Sequence, residues 1–172
     1  MGDVVARSTE PALGAIKLAW WRERLEDLDH GKVPAEPRLQ AAAAELLPRE
    51  IRAADLAQLE EGWATLLQEK PDLDVALHRG VALFGVAARL LSPNPPEFLD
   101  RAGQLYSGGS LSRRGLAPDG LLLIPQIARV PPRFRALTGL AALARRDLGR
   151  HEPEATPGRA WTLLWHRLTG RI

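Results

Sequence analysis

Cysteine is absent from this chain of 172 residues, which excludes disulfides and thiolate chemistry and leaves zinc with only His30, His78, His151 and His166. Those four are isolated from one another in sequence, so no metal cluster is expected. Long apolar runs are missing too. No stretch approaches the ~18 consecutive apolar residues that a bilayer-spanning helix needs. The opening MGDVVARSTEP lacks an apolar signal core and has an acid at position three, so the chain reads as cytoplasmic. Nucleophile elbows, phosphate-cradling glycine loops and spaced zinc-ligand pairs are likewise not found.

Lysine disappears halfway along. Residues 76–172 carry 14 Arg and no Lys against 6 acids, a net charge of +8, while residues 1–75 carry 9 Lys+Arg against 15 acids, a net of −6. A basic half could meet diphosphate, nucleic acid or an acidic lipid surface. A coding bias toward Ala, Arg, Gly, Pro and Leu with ordinary solvated faces gives the same balance. Nucleic acid is set aside as a partner, because no groove-reading module accompanies the arginines.

What is present is helical periodicity almost everywhere, and the expectation is one all-α domain over 1–172. In EPALGAIKLAWWRERLEDLD, Leu18, Trp21, Leu25 and Leu28 form one helical stripe; Leu13, Ile16 and Trp20 form a second beside it. Successive residues lie about 100° apart on a helix. Trp20 and Trp21 can therefore both be buried only in an inner helix contacted on two sides.

Next, RLQAAAAELL predicts a short helix ended by Pro48, and the spacing from Ile51 through Leu56, Leu59, Trp63, Leu66 and Leu67 predicts another that stops at Pro71. LDVALHRGVALFGVAARLL is apolar nearly all round, as befits the middle of a bundle, and its Gly80 and Gly85 permit close approach by a neighbour. SPNPPEFLDRAGQLY predicts a short helix entered through proline. SGGSLSRRGLAPDG reads as loop by composition, and LLLIPQI is too short to classify, with Pro125 arguing against a central strand. After Pro131-Pro132, a stripe of Phe134, Leu137, Ala141, Ala144 and Leu148 predicts a helix. The last helix has Thr156 as N-cap and Pro157 at its first position, with a stripe of Trp161, Leu164, Trp165, Leu168 and Ile172. Arg159, Arg167 and Arg171 oppose that stripe. The pattern fits both an interfacial membrane helix and a helix docked on its own bundle, so peripheral membrane contact is one reading.

One acidic pair has metal-ligand spacing. Glu23 and Asp27 stand at i and i+4, where carboxylates can chelate a Mg²⁺ that bridges a diphosphate. Their interleaving with Arg22 and Arg24 points instead to a solvated charged face.

EPALGAIKLAWWRERLEDLDHGKVPAEP resembles the squalene/phytoene synthase family, whose helix of the type hydrophobic-R-L-x-W-W-R-x-x-L leads into a G-K/R-x-P loop. Ile16, Leu18, Trp20, Trp21, Arg22, Leu25, Gly31, Lys32 and Pro34 fit, with Lys17 in place of the usual Arg. HRGVALFGVAARLL and DRAGQLY resemble two later family segments, in the expected order. The resemblance covers residues 8–110. It implies an all-α isoprenoid-synthase-like bundle whose active members join two prenyl diphosphates, holding Mg²⁺ and diphosphate between two Asp-rich motifs.

This chain departs from that pattern. Asp3 is the sole Asp upstream of the W-W-R helix, so the bundle looks shortened at its N-terminus, or Met1 is not the natural start. Phe84, Ala87 and Leu91 stand where Gln, Asn and Asp belong, and Gln104 replaces an Arg. Family members in the branch of mitochondrial complex I assembly factors also lack parts of these motifs. The expectation is therefore a non-catalytic helical binding or assembly module, with a protein partner, a second copy or a hydrophobic ligand such as a prenyl diphosphate. The alternative is an active transferase using atypical carboxylates and Mg²⁺. From family position, Trp21, Gly80, Phe84 and Tyr106 would line a ligand pocket, with Arg22 and Arg79 as its anion contacts.

Overall fold

A computed structural model of the chain describes residues 1–116, 129–150 and 152–172. The described residues form helices and connecting turns, with no strand among them, in agreement with the all-α expectation. The order is α1 (Gly2–Arg7), α2 (Pro11–Leu28), α3 (Pro37–Leu46), α4 (Ala54–Ala57), α5 (Leu59–Ala64), α6 (Leu73–Leu91), α7 (Phe98–Arg113), α8 (Arg135–Gly149) and α9 (Pro157–Thr169). The expected LLLIPQI segment lies outside the described residues.

Helix α6 is the axis of the bundle. Asp72 caps it by accepting from the backbone N–H groups of Asp74 and Val75, which satisfies two of its orphan donors. Its apolar surface feeds every core cluster. Val86 joins the leucines of α2 and α3, Phe84 meets Ala102 and Leu105 of α7, Ala88 meets Leu99, and Ala76 and Leu77 meet Leu111. Those pairings run in opposite senses along the chain, so α6 and α7 are antiparallel. The seam between them is backbone on backbone: a Cβ on Gly80 would stand against Gly103 O, and 2.6 Å from Gly103 C. Gly85, by contrast, has open space where its Cβ would be.

The other helices wrap this pair. Ala141 and Ala144 of α8 pack on Phe84, Ala102 and Leu105, and Gly109 of α7 lets Ala144 close in. The segment SGGSLSR, expected as loop, is thus the last two turns of α7; tertiary contact with α8 overrides the low helix propensity of its glycines. The single helix expected after Ile51 is broken into α4, α5 and a 3₁₀ turn over Thr65–Leu67. Asp29, just past α2, sets where α4 begins. Its carboxylate accepts from Ala53 N at 2.7 Å and Ala54 N at 2.9 Å, capping α4 from 24 residues away.

Helix α2 is not an inner helix. Its Leu18, Leu25 and Leu28 are buried and Trp21 packs on the same cluster. The second stripe faces solvent, with Ile16 66% and Trp20 42% exposed. Trp20 instead meets the edge of Trp21, ring centroids 5.1 Å apart. Tryptophan tolerates this half-buried placement, since its large ring can bury one side and leave the other wet.

Candidate functional site

The six residues expected to share a pocket fall in three settings. Trp21 belongs to the cluster of α2, α3 and α4. Arg22 is on the surface, 3.6 Å from Glu60 and 3.9 Å from Glu26. Arg79, Gly80, Phe84 and Tyr106 are together, but along the α6–α7 seam. Gly80 is closed off by Gly103, and Phe84 is fully buried with its ring 5.6 Å from that of Tyr106. Tyr106 borders a cleft of about 210 Å³ between α7 and α8, together with Arg113 and Arg114. Glu23 and Asp27 both pair with Arg24, and Asp27 also faces Lys32 at 3.6 Å. No group of three or more metal-ligating side chains occurs among the described residues.

Arg79 has the most unusual electrostatics among the described residues. It is buried, lies 3.6 Å over the Trp63 ring, and donates to Ser107 Oγ at 3.3 Å and Ser107 O at 3.2 Å. Its Nη1 has no hydrogen-bond partner. Burial pushes the guanidinium pKa down to about 10; nearby Tyr106 opposes that shift and Arg114 adds to it. The group therefore remains charged at neutral pH, held by an aromatic face where a carboxylate would be usual. A desolvated cation–π contact of this kind contributes about 2 kcal/mol. With its plane on Trp63 and two donors spent on α7, Arg79 ties three elements together.

A second feature lies at the far side of α8. Helix α9 runs antiparallel to α8 and docks through polar groups. His166, 1% exposed, places Nε2 2.9 Å from Thr138 Oγ1 and Nδ1 2.8 Å from Arg171 O. Arg159 pairs with buried Asp147, which also faces Arg113 of α7 at 3.5 Å. At its C-terminal end, Arg135 Nη1 donates to the carbonyls of Arg167 and Leu168 at 2.9 and 3.0 Å, satisfying acceptors that a helix terminus leaves open. Gly170 ends the helix at φ +71° against Val130, where a Cβ would collide with Val130 O.

The apolar stripe of α9 points the other way. Trp161 is 62% exposed, Trp165 48% and Leu168 64%, with Leu164 exposed between them. Trp161 and His166 differ by about 140° around the helix, so the polar side is docked and the apolar side is free. Trp161, Leu164, Trp165 and Leu168 of the expected stripe are not docked on the bundle, whereas Ile172, beyond the helix, packs on the clusters of Phe84 and Phe134.

Beside the stripe is an open groove of about 650 Å³, bordered by Trp161, Trp165, Arg145, Arg146, Arg150 and Arg171. Arg146 is committed to Glu152, with bonds of 2.7 and 3.0 Å. That bond raises the Arg146 pKa, and it is the leading cause that holds the Glu152 carboxyl below its ordinary value. Arg150 lies 3.9 Å from the same carboxylate, whereas Arg171 has no ion pair among the described residues. Sequence reasoning found the stripe and missed Arg145 of α8 and Arg150 just past its end.

Fold and face together define an all-α protein with an amphipathic helix turned outward. No family model, curated protein or solved structure matches the chain.

Proposed function

We propose that this chain is a non-catalytic helical binding module, a squalene/phytoene synthase-like bundle that engages its partner through α9. The observation that carries the reading is the outward stripe of Trp161, Leu164, Trp165 and Leu168 on a helix anchored by its polar side. Four large apolar side chains exposed side by side on one helix face mark a candidate interaction site. The family part of the reading is supported by the W-W-R helix and the Gly31–Pro34 loop. Its non-catalytic part is supported by packing: Gly80 and Phe84 are sealed by α7 and α8, and Glu23 and Asp27 are neutralised on an outer face. Ionising a prenyl diphosphate needs several divalent charges at the leaving group, held by convergent carboxylates.

The test is incubation of the purified protein with farnesyl or geranylgeranyl diphosphate and Mg²⁺, followed by measurement of released diphosphate. No release above the uncatalysed rate is expected. Turnover that disappears on replacing Glu23 and Asp27 with Ala would replace the binding module with an active transferase.

A further inference from the structure

We propose that the partner of α9 is the surface of a bilayer containing anionic lipid. This names the partner class for the binding face assigned above and so rests on that assignment. Three observations on one helix converge. First, Trp161, Leu164, Trp165 and Leu168 follow i, i+3, i+4, i+7 spacing, one narrow face of about 10 Å along the axis. Such a convex strip matches the headgroup–acyl boundary, into which amphipathic helices sink by about 5–10 Å. Second, the two exposed aromatics are both tryptophan, whose ring is at home where apolar and wet layers meet. Third, residues 157–172 hold no acid, and with Arg159 spent on Asp147 their exposed charges are Arg167 and Arg171.

Charge decides among occupants. A second copy docked α9 against α9 would offer Arg167 and Arg171 no acid to pair with, because residues 157–172 contain none. An anionic bilayer offers the opposite: an apolar layer for the stripe and phosphates for the adjoining groove. There Arg150 and Arg171 border the same opening as the two tryptophans. Arg145 donates to Ile172 O and Arg146 is bonded to Glu152, which Arg150 approaches only to 3.9 Å; the headgroup contacts are therefore Arg171 and the loosely paired Arg150. No described helix is long and apolar enough to cross a membrane, so α9 lies on the surface.

The experiment is flotation of the full chain with phosphatidylcholine vesicles and with vesicles containing about one third phosphatidylglycerol, at low and high salt. Binding to the anionic vesicles is expected, weakened by salt and by each of Arg150→Ala and Arg171→Ala, about fivefold per arginine. The double variant Trp161→Ser, Trp165→Ser lowers partitioning at least about tenfold. Circular dichroism on each variant checks that the bundle is intact; an alternative pair, Leu164→Ser with Leu168→Ser, serves if the tryptophan pair unfolds.

Free inorganic phosphate at millimolar concentration does not displace the protein if lipid is the source of the anion; displacement overturns the proposal in favour of a soluble phosphate site. Absence of flotation on anionic vesicles at low salt also overturns it. In that event, concentration-dependent sedimentation lost in the Trp161/Trp165 variant would retain the binding face and reassign its occupant to a second copy. Diphosphate turnover, by contrast, would sink the binding-module reading whatever the vesicles do.

Discussion

Replacing Gly80 by Ala and Gly85 by Ala places the same methyl group twice in α6, five residues apart, with opposite expected outcomes. On propensity alone each exchange favours the folded state by about 1 kcal/mol, because Ala loses less backbone entropy in a helix than Gly. At Gly85 nothing lies within 4 Å of the new Cβ, so that gain is realised. At Gly80 the Cβ would meet Gly103 O and C and Ser107 Oγ. Two of those three atoms are backbone of α7 and cannot rotate aside. Relief requires α6 and α7 to separate, which loosens Phe84 against Ala102 and Leu105. Overpacking of a close-packed site costs about 3 kcal/mol at the upper end of its usual range, leaving Gly80→Ala less stable by about 2 kcal/mol net. For a chain of this size that lowers Tm by roughly 4–8 °C, while Gly85→Ala raises it by roughly 2–4 °C. Thermal and urea unfolding followed by circular dichroism at 222 nm read both. Equal effects of the two substitutions, or a Gly80→Ala protein as stable as the parent, would refute the backbone seam.

Two further outcomes follow from single carboxylates. Asp29→Ala strips the acceptor from Ala53 N and Ala54 N and is expected to cost about 1–2 kcal/mol in urea unfolding, with Asp29→Asn retaining most of the loss. Glu152 has a folded pKa below its ordinary value, so its stabilising share is complete above the unfolded pKa and disappears as pH falls through the lower folded one. The Tm gap between the parent and Glu152→Gln should therefore be present at about pH 7 and narrow as pH falls below the ordinary Glu range of about 4; a gap independent of pH would rule out the Arg146–Glu152 pair as its source.

Some of this architecture is legible in the residues and some is not, for physical reasons that differ by helix. The all-round apolarity of LDVALHRGVALFGVAARLL identifies α6 as central because only a helix contacted on several sides can be so composed. The adjacent tryptophans mislead. An apolar position on a helix is not obliged to be buried, so the Leu13–Ile16–Trp20 stripe does not prove a second neighbour. Period alone fails in another way at α9: it fixes which residues share a face, not whether that face turns inward. Only the buried His166–Thr138 contact settles that. The glycines near the end of α7 look like loop because their value lies in the approach of Ala144, a partner more than thirty residues on. The roles of Asp29 and Asp147 are equally hidden, since each acts on groups distant in the chain.

The α6–α7 seam also sets how far the chain must search to assemble itself. Only residues 92–97 separate the two helices, and Ala88 meets Leu99 across eleven positions. Loop-closure entropy grows with the logarithm of the loop, and short loops close within about 10–100 ns. The α4 cap spans 24 residues, and Val130 N reaches Gly170 O across 40. By that measure the central hairpin is the local event on which the rest can condense. The α9 latch is a longer closure than the hairpin, and it rests on hydrogen bonds and one buried ion pair more than on apolar area. The helix that carries the exposed tryptophans is thus also the one whose attachment asks least of the core.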